Sequence, residues 1–283
     1  MSTKNNPTMK RILVPCDFSD PAVQAFKFAA QIASQSKGQI TLLNVVEIPV
    51  MHDTVLMPVL SFEEAFLKDA KEKAEKNFLK MKERWAKEVK VDYQVVYGAT
   101  ANTIREVAEE IKADVIVMGT HGASGLKEWV IGSNAEKIVR TSSIPVIAIK
   151  KQVKGDIKNI VFPITPSLDD ENLFQRVKAL QYFLKATLHL LFVNTPGVFL
   201  RDNVSKPQME ALAKRLLLKD YRIHVYNDLS EEEGIRNFTT EVKADMVALG
   251  THGRRGLNHL LTGSIAEDIV NHLDCPIWTY KMA

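Results

Sequence analysis

The chain has 283 residues, 46% hydrophobic and 25% charged, with a net charge of +3 at pH 7. That mixture excludes a disordered or fibrous chain, and a charge so weak, with no isolated Lys/Arg block, excludes a nucleic-acid footprint. The length exceeds one ordinary domain of about 100–200 residues and suits two cores of roughly 140 residues each.

No apolar run reaches the roughly 18 residues of a membrane span, and the polar segment 1–10 lacks a signal-peptide core. The chain is therefore expected in the cytoplasm, with no membrane partner. Cys16 and Cys275 offer neither a disulfide framework nor zinc spacing and are expected as small buried residues.

In chain order, residues 10–16 (KRILVPC) predict a buried strand, followed by a loop into a helix capped near Ser19 or Asp20 with Pro21 at its start. Ala22, Ala25, Phe26, Ala29, Ala30, Ile32 and Ala33 recur at helical spacing, and Gly38 is expected to end the helix. The near-continuous apolar run 40–46 predicts a parallel strand covered on both faces. Residues 47–61, with Pro49, Met51, Met57, Pro58 and Leu60, fit neither period and predict a long apolar loop, either a lid or partner surface or a segment packed across the sheet edge. Phe62, Phe66, Ala70, Ala74, Phe78, Met81 and Trp85 then form one stripe of a helix over 62–89, roughly 40 Å long. Strands are predicted at 91–97, 114–118 and 144–149, and helices at 101–111 and 133–140. This alternation implies a parallel sheet joined by right-handed crossovers.

The polar stretch 150–158 separates two matching patterns. We place a first domain at 1–150, a linker at 151–156 and a second domain at 157–283. Ile160-Val161-Phe162-Pro163-Ile164-Thr165 lies over Ile12-Leu13-Val14-Pro15-Cys16-Asp17 at an offset of 148, whereas later matches fall at 131. The 17 residues lost between these offsets are expected to come out of 47–89, and a period this long marks a tandem pair of whole domains.

The later match contains the pattern with most chemical content. Gly119-Thr120-His121-Gly122 follows an apolar run and leads, after nine residues, to Gly132-Ser133; Gly250-Thr251-His252-Gly253 leads in the same way to Gly263-Ser264. A glycine loop between a strand and a helix exposes backbone N–H groups beside the positive helix N-terminus, a site that attracts phosphate. In an open parallel sheet this loop meets the loop after the first strand, bringing Asp17 towards Gly119. A structural alternative stands beside this. Ser133-Asn134-Ala135-Glu136 and Ser264-Ile265-Ala266-Glu267 both have the form of capping boxes, which satisfy helix amides without a ligand.

Asp17 could accept from ribose or base groups, or cap the following helix. His121 and His252 could serve phosphate binding or acid–base chemistry, or be solvated loop imidazoles. Lys127, Arg254 and Arg255 could neutralise phosphate or be ordinary loop cations. Trp85, Trp129 and Trp278 are expected in core or interface packing. No other nucleotide-loop, metalloprotease or nucleophile-elbow pattern is present, and no catalytic residue or protein metal ligand is assigned.

These residues resemble the universal stress proteins, whose ATP-binding members carry G-x2-G-x9-G-[ST] after the fourth strand of a five-stranded α/β domain. The opening ILVPCDFS, with Asp17, is similar to the family's first strand. The resemblance implies two tandem five-stranded, mostly parallel sheets with helices on both faces, of the Rossmann-like, adenine nucleotide alpha hydrolase-like type. It further implies an adenosine end at Pro15, Asp17 and the backbone at Val45, with Gly119, Gly122, Gly132, Ser133 and Asn134 on ribose and phosphates. A divalent cation, Mg2+ or Mn2+, would be held through the phosphates. Pro163, Val193, Gly250, Gly253, Gly263, Ser264 and Ile265 match in the second half, but Thr165 replaces the acidic residue, so the first site is expected to bind more tightly. The resemblance also implies pairing of the two fifth strands, 144–149 with 277–280, and association of two chains as a homodimer.

The leading expectation is a cytoplasmic ATP-binding sensor or regulator of the universal stress type, its protein partner unspecified. A slow ATPase or phosphotransferase, resting on His121 and His252, and a nucleotide-independent interaction scaffold, resting on 50–60 and the helix after it, stand as alternatives.

Overall fold

The computed structural model describes residues 9–47, 56–121, 131–166, 168–251 and 269–282, with the backbone alone over 56–67. The first half runs β1 (Arg11–Pro15), α1 (Asp20–Ser36), β2 (Gln39–Val46), α2 (Leu56–Trp85), β3 (Lys90–Tyr97), α3 (Thr100–Glu110), β4 (Val115–Gly119), α4 (Ser133–Thr141) and β5 (Val146–Ile149). The second half runs β6 (Asn159–Pro163), α5 (Glu171–Leu184), β7 (Thr187–Asn194), α6 (Asp202–Arg215), β8 (Tyr221–Asn227), α7 (Glu231–Glu241), β9 (Met246–Thr251) and β10 (Ile277–Lys281). Residues 269–272 are also helical.

Each half is a parallel five-stranded sheet, ordered β3-β2-β1-β4-β5 in the first and β8-β7-β6-β9-β10 in the second. The halves meet through β5 and β10, which pair antiparallel with Trp278 opposite Ile147. The two expected sheets are therefore one ten-stranded sheet, and the fifth-strand pairing takes place within a single chain. Strands so covered need apolar side chains on both faces, which explains their near-continuous hydrophobic runs. One face packs Phe26, Phe78, Phe174, Leu212 and Trp278; the other packs Ile104, Ile138, Phe238 and Ile269.

The internal repeat reaches single hydrogen bonds. Asp114 Oδ2 accepts from the backbone N–H groups of Lys10 and Arg11 at 2.9 and 3.0 Å. Asp245 Oδ2 accepts from those of Lys158 and Asn159 at 2.9 and 2.8 Å. In both halves a carboxylate just ahead of the fourth strand ties down the chain entering the first.

Three local expectations are corrected. The loop placed at 47–61 is shorter, because α2 already begins at Leu56; residues 48–55 lie outside those described. Pro58 does not oppose this, since a proline in the first helical turn removes an amide that would lack a partner anyway. The helix also ends at Trp85 rather than 89. Lys37, at φ 53°, supplies the left-handed residue that ends α1, in place of Gly38, and Lys185 at φ 54° does the same for α5. α2 has 30 residues and its counterpart α6 has 14, which takes up nearly all of the missing 17.

Trp278 is buried in the core, and Trp85 is partly buried with the Lys27 ammonium 4.7 Å from its ring centre. Trp129 lies outside the described residues. No described helix is long and apolar enough to cross a membrane.

Candidate functional site

The strand order reverses between β1 and β4, and at the carboxyl ends of the strands such a reversal leaves a crevice. A cleft of about 390 Å³ lies there, lined by Pro15, Asp17, Val45, Gly119, Gly132, Ser133 and Asn134. These are all the first-half residues the resemblance places at the nucleotide except Gly122, which lies outside the described residues, as does Lys127.

Each wall has a local cause. Asp17 Oδ1 accepts from the Ser19 hydroxyl at 2.6 Å and the Ser19 N–H at 3.1 Å, closing a tight turn through Phe18 at φ 65°. A left-handed aromatic residue is strained, and here its ring packs 5.1 Å from that of Phe78 on α2. Ser19, not Asp17, caps α1, and Asp17 stands in the cleft wall. Gly119 serves close packing: a Cβ there would stand 2.7 Å from the Pro21 carbonyl carbon and 2.8 Å from the Ala22 nitrogen, where α1 begins.

The capping-box expectation for Ser133 is overturned. Gly132 occupies the N-cap of α4, no side chain caps that end, and Glu136 pairs with Arg140 at 3.1 Å instead of reaching back. By contrast α1, α5 and α7 are capped by the side chains of Ser19, Asp170 and Ser230. The first turn of α4, Ser133 to Ala135, thus meets the cleft without a side-chain cap.

Three further polar residues join the wall. Asn44 Nδ2 donates to the Cys16 carbonyl at 2.8 Å, tying β2 to the end of β1. Glu47 Oε1 accepts from the Thr100 hydroxyl at 2.6 Å and the Thr100 N–H at 3.2 Å, and these two bonds hold its carboxyl below the ordinary range. Asn44, Glu47 and Thr100 were not singled out in the sequence. The signal available was divergence between the halves, since their repeat positions hold Phe192, Thr195 and Glu231. His121 also lines the cleft, its Nδ1 2.8 Å from the hydroxyl of buried Thr120. Cys16 is at the wall too, but burial pushes its thiol up to about 12, which leaves it without thiolate character near neutrality.

The second half differs. Pro163, Thr165, Val193 and Gly250 surround a cavity of about 20 Å³, space for roughly one water. Leu173 and Met282 fill it: a Cβ on Gly250 would stand 2.6 Å from Leu173 Cδ2 and 2.8 Å from Met282 Sδ. Phe192, where the first half has Asn44, is buried beside them. His252, Gly253, Arg254, Arg255, Gly263, Ser264 and Ile265 lie outside the described residues.

The Universal stress protein family model matches residues 8–150 and again 156–281. A universal stress protein of Methanocaldococcus jannaschii is 34% identical over 145 residues, 51% of this chain and 84% of the relative. One from Synechocystis is 22% identical over 294 positions, covering 96% of this chain and 100% of the relative. Among solved structures, a universal stress protein from Archaeoglobus fulgidus matches 96% of this chain and 98% of its own, with a TM-score of 0.76 at 18% identity, a likeness of fold. With its profile matched twice along nearly the whole length, the chain belongs to the universal stress protein family, as two such domains in tandem.

Proposed function

We propose that the first-half cleft binds ATP, one molecule per chain, and that the protein acts as a nucleotide-dependent sensor or regulator in a cytoplasmic stress response. The observation that carries this reading is the division of the cleft into two chemical ends. Asp17 and Glu47, after β1 and β2, offer acceptors suited to the amino and hydroxyl groups of a nucleoside. Across the strand reversal, the first turn of α4 offers backbone N–H groups and a positive dipole end suited to phosphate. A divalent cation, Mg2+ or Mn2+, would accompany the phosphates and take its ligands from them.

The filled cavity of the second half supports the asymmetry of this reading. A second chain would add through a surface other than the fifth strands, which are already paired. Isothermal titration with ATP and magnesium should give one site per chain. Asp17→Ala should weaken it about tenfold, the effect of one lost hydrogen bond to a charged group. No heat together with no co-purified nucleotide overturns the reading; two equal sites overturn its assignment to the first half; unchanged affinity in Asp17→Ala removes the role given to that carboxylate.

A further inference from the structure

The entrance to α4 is not held by its own half alone. Ile131, 4% exposed, donates its backbone N–H to Oδ1 of Asn271 at 2.6 Å, a contact between residues 140 positions apart. The next amide, that of Gly132, donates to the Thr120 carbonyl at 2.7 Å. Two successive amides at the entrance to α4 are thus fixed, one by Thr120 just after β4 and one by the second half.

Asn271 is itself secured. Lys150 Nζ donates to its carbonyl oxygen at 2.7 Å and lies 3.9 Å from Asp274, which also pairs with Lys151 at 2.8 Å. The antiparallel seam explains the meeting. α4 starts beyond the carboxyl end of β4, and the antiparallel pairing of β5 with β10 brings the helix containing 269–272, which leads into β10, to that same end of the sheet. The repeat counterpart of Asn271 in the first half is Arg140, which has only donors and pairs with Glu136. It cannot accept from an amide, so this device runs from the second half to the first.

We propose that Asn271 is a positioning residue for the phosphate end of the first cleft: by accepting from Ile131 it fixes the peptide leading into Gly132 and aims the first turn of α4. The inference rests on the nucleotide reading of that cleft. A buried amide that loses its acceptor must stay unsatisfied or move, and movement here displaces the N-terminus of α4 while leaving Asp17 and Glu47 in place. Binding energy from the phosphates, not from the nucleoside, then carries the effect. By reciprocity, nucleotide in the first cleft slows exchange of the amides around 271 in the second half.

The test uses the full chain. Asn271→Leu removes the acceptor at nearly constant shape, and Asn271→Asp keeps one. Titration should show Asn271→Leu weakening ATP about tenfold while adenosine changes by less than about twofold, with Asn271→Asp recovering most of the ATP affinity. Equal losses for both ligands, or no loss for either, overturn the proposal. Hydrogen exchange on the ligand-free chain gives a readout independent of nucleotide: the Ile131 amide should exchange about tenfold faster in Asn271→Leu, and unchanged exchange also overturns it. Should the wild type bind neither ligand, the reading of the cleft fails, and the exchange rate alone decides whether Asn271 holds the Ile131 amide.

Discussion

Asp17 and Thr165 hold the same place in the two halves, and their surroundings diverge further than one substitution requires. Polar Asn44 and Glu47 on one side give way to Phe192 and Thr195 on the other, while Leu173 and Met282 close over Gly250. The loss of the carboxylate was legible in the sequence; the closing was not, because the filling side chains come from α5 and from beyond β10, and only packing reveals which groups meet. The second half also buries an imidazole. His189 is 3% exposed, with Nδ1 3.1 Å from His224 Nε2 and Nε2 3.2 Å from Asn159 Oδ1. Burial above all, then the neighbouring His224 and Arg222, pushes His189 down to about 4. The unfolded chain takes up this proton near pH 6.5 and the folded chain only near 4. This contribution to stability is therefore complete above pH 6.5 and is lost as pH falls towards 4, amounting to about 2 kcal/mol by pH 5. Urea unfolding at pH 7 and pH 5 should show a smaller pH effect in His189→Gln than in the wild type; the same drop in both would place the proton elsewhere.

At the scale of elements, the alternation of strand and helix was legible because doubly covered strands and one-sided helices write different periods. Boundaries were less so. The helical stripe begins at Phe62, yet α2 starts at Leu56, since its first turn tolerates Pro58 and needs no stripe. The pattern Ser133 to Glu136 is compatible with a capping box and equally with an open helix end; the choice depends on Gly132 taking the N-cap and on Arg140, one turn further on, engaging Glu136. Nor could spacing show that Asp114 and Asp245 anchor the chain entering β1 and β6. Asp245→Ala leaves two strand-entry amides without their acceptor and should cost about 1–3 kcal/mol in urea unfolding. It should also speed exchange selectively along β6; a loss below about 0.5 kcal/mol would mean that water replaces the carboxylate.

For the whole molecule, the duplication was legible from the two offsets, and the fusion of both halves into one sheet followed from the resemblance rather than from any residue of β5 or β10. The seam those strands make has a further consequence. Between separate subunits it would obey mass action and open on dilution. Here both edges belong to one chain, so they face each other at a fixed effective concentration. The melting temperature should stay constant over about a hundredfold change in protein concentration, and a steady rise with concentration would show that stability draws on a second chain. The tether also forbids exchange of partners. A half whose cavity at Gly250 is filled cannot be replaced by one with the open cleft at Gly119, so every molecule carries the same unequal pair for its lifetime.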